Sequence, residues 1–529
     1  MKRYIKSLLP VAVMGMVSLT SCVGDLDVDP EIDPKTNVTF QADPAFNKVY
    51  ANLGLTGRQG PSGAPDLEGK DEGASGFIRV LWNSNTLPTD EAICGWSDGG
   101  ILGMTTNQWD ASNDFINLLY YRLMYGVSVA NHYLEKTAEA TDAESTVRKA
   151  EVRFLRALHF YHLMDAFGNI PTPMAISNEL PKQNSRAEAF ALIEKELTEC
   201  LPNLKDARSN TYGRVDKAAA WLLLARLYLN AEVYTGTAQW SKAAEYAKKV
   251  MESGYTLAPK YAYLFMGDND KNGAQNEVIL PVIQDGITTF SYAGSTFLIA
   301  STRNADMTAN EGSWGITEQW AGNRCRPTLI ENFIPENTEA VTKDVGNATK
   351  MIAIAKDDRS LFYSMDRKLT NDKIGTFKDG YSCLKWNGLY STGTGGKDSK
   401  FADTDVPLMR AAEAYLTYAE ATFRANGKKS NAEVANAINA LRTRAHAATQ
   451  QAYTEQEILK EWQKEFYFEG RRRIDLIRFG MFGGYSNKNT WTWKNGVKDG
   501  SNFAATKNIF PIPTEEMNAN YLLKQNPGY

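Results

Sequence analysis

The segment "AEVRFLRALHFYHLMDAFGNIP", residues 150–171, decides the fold of this 529-residue chain. Four apolar residues recur in it at spacings of three and four: Ala150, Phe154, Leu158 and Tyr161. That spacing places them on one face of an α-helix. Gly168 and Pro171 then end the helix, because glycine favours the turn that follows a helix and proline cannot continue one. The segment predicts a long amphipathic helix that needs a partner for its apolar face.

Further helical patterns lie on both sides of this segment. They cover residues 113–136, 215–234, 240–255, 406–427, 432–447 and 454–480. Small residues such as Ala219 and Ala247 let two helices approach closely, and helix-turn-helix units of about 34 residues are the tetratricopeptide period. Thr454 and Glu457 have the spacing of a capping box that begins the last helix. The sequence therefore predicts a mainly all-α protein whose tetratricopeptide-like pairs stack into an irregular solenoid.

The remaining segments have a different composition. Residues 30–110, 256–405 and 484–529 are rich in Gly, Asn, Asp, Ser and aromatic residues and show few helical periods. Long loops on a rigid scaffold are where binding residues concentrate. We therefore expect a helical scaffold over about 113–255 and 406–483, and a loop-rich binding lobe with little strand over about 256–405.

The N-terminal residues have the pattern of a secretory signal. In residues 1–21, three basic residues precede about ten apolar ones, and a membrane-spanning helix would need roughly 20. The Leu-Thr-Ser before Cys22 resembles the bacterial lipobox, in which the cysteine is acylated; ordinary secretion with a free thiol is the alternative. Asp25, Asp27 and Asp29 follow, and such an acidic stretch resembles a signal for display on the outer cell surface. We expect a signal peptide over 1–21 and a single unit over 22–529, anchored in the outer membrane by lipid on Cys22 and exposed on the cell surface.

Composition excludes several classes of function. The formal net charge is −4, and nucleic-acid binding is not expected because it requires clustered Lys and Arg. Four cysteines follow Cys22 and form no CxxC pair: Cys94, Cys200, Cys325 and Cys383. This argues against a zinc site or a disulfide scaffold and favours buried thiols. Arg471, Arg472 and Arg473 resemble an anion patch, but neighbouring acids such as Asp475 favour structural ion pairs instead.

Several segments together carry a resemblance to a known family. They are residues 150–171, "DKAAAWLLLARLYLNAEVY" at 216–234, "PLMRAAEAYLTYAEA" at 407–421, "EFYFEGRRRIDLIRFG" at 465–480, and the tail segments "FPIPTEEM" at 510–517 and "QNPGY" at 525–529. In this order they resemble the SusD/RagB family of surface glycan-binding lipoproteins. The resemblance implies a tetratricopeptide-like helical protein with no catalysis and no required cofactor. It also implies a partner, a SusC-like TonB-dependent outer-membrane transporter that the lipoprotein caps like a lid.

The resemblance also implies a glycan site. Pyranose rings pack on aromatic side chains through their apolar C–H face, while carboxylates, amides and guanidinium groups bind the hydroxyls. By motif position, three residues match the aromatic arc of the starch-binding member: Trp96, Tyr292 and Trp314. Asp71 and Arg79 match its polar contacts, and Asp98 lies close to the first ring. Trp320 is a competing assignment for the third ring, because the loop before Trp314 is shorter by about two residues.

Two departures from the family pattern bear on the ligand. Gly99 stands where the starch-binding member has an asparagine that contacts sugar, and Cys94 stands where it has a second tryptophan. The resemblance implies an α-glucan oligosaccharide of the starch type as the ligand, but these two departures weaken the match to starch itself, so a 1,6-linked α-glucan such as dextran is an alternative. A different glycan or a peptide is a further alternative. So is a surface glycoside hydrolase, which would need two carboxyl groups about 5 to 9 Å apart.

The segment "DNDKNG" at residues 268–273 begins like a calcium-binding loop, with oxygen ligands on alternate residues. The closing glutamate of an EF-hand would fall at Ile279, whereas the nearest one is Glu277. The pattern therefore predicts at most a structural Ca²⁺ site at Asp268 and Asp270, and an Asx-rich turn is the alternative.

Overall fold

The structure, a computed structural model, describes residues 40–529. The predictions for the signal peptide, Cys22 and the acidic stretch after it lie outside the described residues. The described α-helices are α1 Ala42–Gly54, α2 Phe77–Thr86, α3 Ile101–Thr106, α4 Asp114–Lys136, α5 Ala143–Phe167, α6 Arg186–Cys200, α7 Lys217–Leu229, α8 Ala231–Thr235, α9 Trp240–Met251, α10 Ser295–Ala300, α11 Thr308–Glu311, α12 Pro327–Phe333, α13 Thr338–Thr342, α14 Ala348–Ala355, α15 Ala411–Ala425, α16 Ala432–Arg444, α17 Glu455–Phe466, α18 Arg472–Arg478 and α19 Thr514–Ala519.

The described strands are short and pair two by two. They are β1 Ala92–Cys94, β2 Ile170–Pro171, β3 Gln183–Asn184, β4 Val278–Val282, β5 Asn323–Cys325, β6 Phe362–Tyr363, β7 Ser382–Cys383 and β8 Val406–Arg410. The antiparallel pairs are β1 with β5, β2 with β3, β4 with β8 and β6 with β7. With 46% helix and 5% strand, the mainly all-α fold with little strand is confirmed.

The segment that decides the fold forms helix α5, and its ends follow from local chemistry. The Asp142 side chain accepts a hydrogen bond from the Ser145 amide at the start. Gly168, at φ +70°, ends the helix in a conformation that favours glycine. The predicted capping box of Thr454 and Glu457 is present at the start of α17. Caps of this kind satisfy amide groups that the first helical turn leaves without a partner.

The helices pack in a row. Helix α4 packs against α5, α5 against α6, α6 against α7, α7 against α9, α9 against α15, and α15 against α16. Ala243 and Ala247 on α9 are fully buried, which lets α9 lie close to α7 and α15. The row thus passes from α9 to α15 in space, although the whole loop-rich lobe separates these helices in sequence. Asp43–Tyr529 form one compact unit.

Three predicted helices have the wrong boundaries, and one of them, over 215–234, is divided into α7 and α8. Residues 406–410 form strand β8 rather than the start of a helix, because they pair with β4 from Val278↔Arg410 to Val282↔Val406. Residues 454–480 form two helices rather than one, because the backbone turns left-handed at Phe468 (φ +60°) and Gly470 (φ +71°). Ten helices were not predicted, namely α1, α2, α3, α6, α10, α11, α12, α13, α14 and α19, although Ser185 and Glu188 form a capping box at the start of α6.

Buried ion pairs join the last helices to the rest of the chain. Arg410 contacts Glu465 at 2.7 Å and Glu469 at 2.8 Å. Arg471 pairs with Asp475 as predicted, whereas Arg472 and Arg473 pair with two acids distant in sequence: Asp90 and Asp165. Buried charges are tolerated when they are paired and hydrogen-bonded in this way. The arginine segment is therefore structural, and it fixes the chain just before β1.

Strands β1 and β5 position the candidate site. Their register pairs Ala92 with Cys325 and Cys94 with Asn323, so the residues after β1 and before β5 leave the ladder at the same edge. Cys94, Cys200, Cys325 and Cys383 are free and buried, which confirms the expected buried thiols. Among residues 40–529, no helix is both long enough and apolar enough to cross a membrane.

Candidate functional site

An open hollow of about 470 Å³ lies where the loops after β1 and before β5 meet. It is lined by Ser62, Asp71, Glu72, Gly73, Arg79, Trp96, Asp98, Tyr292, Glu318 and Trp320. We call it the aromatic hollow. The structure thus brings together five of the six predicted glycan-binding residues: Asp71, Arg79, Trp96, Asp98 and Tyr292.

Three aromatic rings form a curved wall of the aromatic hollow. The ring centroids of Trp96 and Trp320 lie 6.4 Å apart, and those of Trp320 and Tyr292 lie 5.9 Å apart. Each ring is tilted from its neighbour, by 56° at the first step and 57° at the second. The three side chains are only partly buried. The row therefore offers a ligand an apolar surface that bends around it, rather than one flat face.

The backbone of the β1–β5 edge holds Trp96 in place. The Gly95 amide donates to the Gly322 carbonyl at 3.0 Å, which extends the ladder by one pair. The Trp96 indole donates from Nε1 to the Trp320 carbonyl oxygen at 3.0 Å. A Cβ atom at Gly322 would lie 2.1 Å from Cε2 of the Trp96 ring. The ring therefore lies directly on the backbone at a position where any larger residue would displace it.

The structure corrects the assignment of the third ring. Trp314 is only 4% exposed and does not line the aromatic hollow. Its Nε1 donates to the Glu318 carbonyl oxygen at 3.1 Å, and its own carbonyl accepts from the Gly388 amide at 2.8 Å. Trp314 therefore supports the loop from inside, and Trp320, the competing assignment, supplies the ring that faces the hollow.

Glu318 is a site residue that was not predicted from the sequence. Its Oε2 accepts a hydrogen bond from the Trp320 Nε1 at 2.7 Å, and its backbone carbonyl accepts the Trp314 indole. The Lys400 ammonium lies 3.8 Å from its Oε1. One residue thus orients the Trp320 ring and fastens the loop beneath it. A carboxylate two positions before a tryptophan was the only sequence signal for this role.

Arg79 presents a guanidinium group that the protein only partly satisfies. It lies 5.0 Å from the Phe297 ring centroid and 5.4 Å from that of Trp96, and Nη1 donates to the Gly73 carbonyl at 3.0 Å. Its Nε is buried without a hydrogen-bond acceptor. Burial lowers the pKa of Arg79 below its ordinary value, an effect that the nearby Asp98 carboxylate opposes. The group can donate to a ligand oxygen in the hollow.

Carboxylates supply hydrogen-bond acceptors around the same space. Asp71 and Asp98 are exposed. Glu72 is buried, and its Oε1 accepts from the hydroxyls of Thr56 and Ser291. Its Oε2 has no hydrogen-bond partner. Acceptors that face one guanidinium across an apolar wall suit a ligand that carries many hydroxyl groups and no net charge.

The two departures from the family pattern have structural counterparts. A Cβ atom at Gly99 would lie 2.3 Å from Oδ2 of Asp114, so the Asp114 carboxylate takes the space beside the glycine. Cys94 is fully buried in β1. An acidic group therefore stands next to the position where the starch-binding member of the family has an amide.

The predicted calcium loop has the geometry of the alternative, an Asx-rich turn. The Asp268 side chain is buried and accepts from the Ser391 amide at 2.9 Å, the Ser391 hydroxyl at 2.6 Å and the Asn272 amide group at 3.0 Å. Asp270 is exposed and lies 3.5 Å from the Lys271 ammonium. Within residues 40–529, no group of three or more His, Cys, Asp or Glu side chains is placed to hold a metal ion. The residues present do not fit a Ca²⁺ site.

The fold and the hollow define a class: a helical-repeat scaffold that carries an open aromatic site on its loops. A family model described as "SusD family" matches residues 319–529, and another, described as "Starch-binding associating with outer membrane", matches residues 26–247. The Starch-binding protein SusD of Bacteroides thetaiotaomicron is 42% identical over 100% of this chain and 99% of its own length. The chain belongs to the SusD family, and the resemblance to SusD/RagB proteins is confirmed.

Solved structures show the same fold. A "Laminarin binding SusD-like protein" has a TM-score of 0.67 at 22% identity, with 92% of this chain and 99% of that chain covered. Surface glycan-binding protein A from Bacteroides thetaiotaomicron, solved in complex with laminarihexaose, has a TM-score of 0.67 at 19% identity, with 92% and 98% covered. Likeness at this level of identity establishes the fold.

Proposed function

We propose that this chain is a noncatalytic glycan-binding protein that holds α-linked glucan oligosaccharides of the starch type in the aromatic hollow. The observation that carries the proposal is the curved row formed by Trp96, Trp320 and Tyr292. An α-1,4-linked glucan is itself curved, so successive glucose units can each place an apolar face against a ring. Arg79 and the surrounding carboxylates then bind the outward hydroxyls.

Preorganisation supports the proposal. Each contact between a sugar and a ring is weak, so affinity depends on how little order is lost on binding. Trp96 is fixed by the Trp320 carbonyl, and Trp320 by Glu318. The 42% identity to a starch-binding protein over the full chain also favours this ligand. Gly99 and Cys94 depart from that relative's pattern, which makes a 1,6-linked α-glucan the second ligand to test.

We further propose that the chain acts at the outer membrane. Lipid on Cys22 would anchor it, and a SusC-like TonB-dependent transporter would receive the bound glycan. The family model described as associating with the outer membrane supports this placement. Coexpression with the transporter encoded nearest to this chain, followed by detergent extraction and pull-down, tests the pairing. Copurification in fixed stoichiometry supports the assignment, and separation of the two proteins contradicts it.

The glycan specificity can be tested with the soluble chain from residue 23 onward. Isothermal titration against linear α-1,4-, α-1,6- and β-1,3-linked glucans should give binding to the α-1,4 series. Binding to the α-1,6 series alone would assign dextran instead, and binding to none of the α-glucans would contradict the proposal. Incubation with labelled oligosaccharide should release no shorter products, because the proposed function is noncatalytic. Release of such products would favour a glycoside hydrolase.

A further inference from the structure

The row of rings does not end at Tyr292. The Phe401 ring centroid lies 5.0 Å from that of Tyr292, with the planes at 49°. The Phe290 ring centroid lies 4.9 Å from that of Phe401, with the planes at 60°. Both phenylalanines are partly exposed, unlike the rings of the core. The row of closely spaced, mutually tilted rings therefore continues for two further rings outside the aromatic hollow.

Both of these rings are carried on turns that hydrogen bonds hold in place. The Asp285 Oδ1 accepts from the amides of Ile287, Thr288 and Thr289 at 3.0, 2.7 and 2.8 Å, which fixes the turn before Phe290. The Asp398 Oδ1 accepts from the amides of Lys400 and Phe401 at 2.7 and 2.8 Å. A ligand would therefore meet rings that are already positioned and would lose little further entropy in ordering them.

The two further rings share a border with the aromatic hollow. Ser62 lines the hollow, and two residues earlier in the same loop a Cβ atom at Gly60 would lie 3.6 Å from Cζ of Phe290. On the other side, the Lys400 ammonium lies 5.7 Å from the Tyr292 ring centroid and can donate to hydroxyls. The Ile287 side chain, 53% exposed, lies in the turn that leads to Phe290. The surface is thus continuous from Trp320 to Phe290.

We propose that Phe401 and Phe290 form a distal subsite that binds the continuation of the glucan held in the aromatic hollow. This inference rests on the proposed function, because the occupant is the next neutral glucose units of the same chain. The arc would hold about three units, and the two phenylalanines would hold those that follow. A longer glucan can occupy the aromatic hollow in several alternative registers, which by itself raises its apparent affinity. With the distal subsite, the affinity for longer oligosaccharides would increase by more than this number of registers explains.

The decisive variant is Phe290→Ala, because Phe290 has no ring contact with Tyr292. Titration should use linear α-1,4-glucans of three and of seven glucose units. We expect Phe290→Ala to weaken binding of the seven-unit glucan about fivefold, which corresponds to about 1 kcal/mol, and to leave the three-unit glucan unchanged. Phe290→Leu keeps an apolar side chain without the flat face and should show the same length-dependent loss. Tyr485→Ala, which removes a ring that is 78% exposed outside this surface, is the matched control.

Each other outcome has a definite meaning. An equal loss with both glucans would show that Phe290 only supports the arc, and it would overturn the distal subsite. So would unchanged affinity in both phenylalanine variants. If the unmodified chain binds neither glucan, the proposed function itself fails and the distal subsite fails with it. If the unmodified chain binds the three-unit glucan, and its higher affinity for the seven-unit glucan is fully explained by the number of binding registers, the distal subsite alone is refuted.

Discussion

Trp320 is the central ring of the arc, so its removal should have the largest effect of any single aromatic substitution in the hollow. The change is Trp320→Ala. The Trp320 side chain is partly exposed on a loop, and its indole hydrogen bond goes to Glu318, whose side chain is 19% exposed and can be solvated by water. The substitution should therefore weaken glycan binding without unfolding the protein.

The size of the effect follows from the contact area. A tryptophan side chain can bury 150–250 Å² in all, and a sugar unit covers part of one face, about 80 Å². At roughly 25 cal/mol per Å² this contact contributes about 2 kcal/mol. Since 1.4 kcal/mol corresponds to tenfold in affinity, the variant should bind an α-1,4-glucan about 30-fold more weakly.

Isothermal titration with a seven-unit α-1,4-glucan measures this change, and the thermal unfolding midpoint verifies that the variant is folded. Tyr521→Ala is the matched control, because that ring is 82% exposed and does not line the hollow. It should bind as the unmodified chain does. A loss of less than about threefold in Trp320→Ala, or an equal loss in the control, would refute the role of the central ring.

Three further predictions follow from the contacts. Gly322→Ala should displace the Trp96 ring, since the added Cβ would lie 2.1 Å from that ring. Titration should show glucan binding that is at least about tenfold weaker, with a nearly unchanged fold. Unchanged affinity would contradict the inference that the Trp96 ring packs directly on the backbone at Gly322. Glu318→Ala should weaken glucan binding severalfold. Glu318→Gln keeps an acceptor for the Trp320 indole and should bind as the unmodified chain does. Equal losses of affinity in both variants would contradict the role of Glu318 in orienting the Trp320 ring. Burial raises the pKa of Asp405 to about 7, so the folded chain keeps a proton that the unfolded chain loses, and stability falls as pH rises from about 4 to 7. In urea unfolding, the free energy of unfolding of Asp405→Asn should rise relative to that of the unmodified chain as the pH increases from about 4 to 7, by at most about 4 kcal/mol. If the difference in this free energy between the two proteins stays constant from about pH 4 to 8, the prediction is contradicted.

The scaffold was predictable because its signals are local. The apolar spacing in residues 150–171 and the end signal at Gly168 lie in one short stretch of chain, and the structure shows helix α5 there. Strand β8 was mistaken for a helix because its partner β4 lies more than a hundred residues earlier in the chain, and no local pattern reports that pairing. The ion-pair partners of Arg472 and Arg473 could not be predicted for the same reason, because Asp90 and Asp165 lie far from them in sequence.

The candidate site was predictable in composition but not in detail. Trp96, Tyr292 and Arg79 were identified by motif position, and the structure places all three around one hollow. Sequence spacing does not decide which of two neighbouring tryptophans faces solvent. That choice depends on the loop folding over Trp314, whose carbonyl binds the amide of Gly388 far along the chain. Glu318 was missed because its role exists only once both indoles are in place.

The most direct test of the central claim is a crystal structure of the soluble chain with a seven-unit α-1,4-linked glucan. The claim predicts glucose units stacked on Trp96, Trp320 and Tyr292 at van der Waals distance, with sugar hydroxyls bonded to Arg79. Sugar bound elsewhere on the protein, or an aromatic hollow that stays empty at saturating glucan, would contradict it.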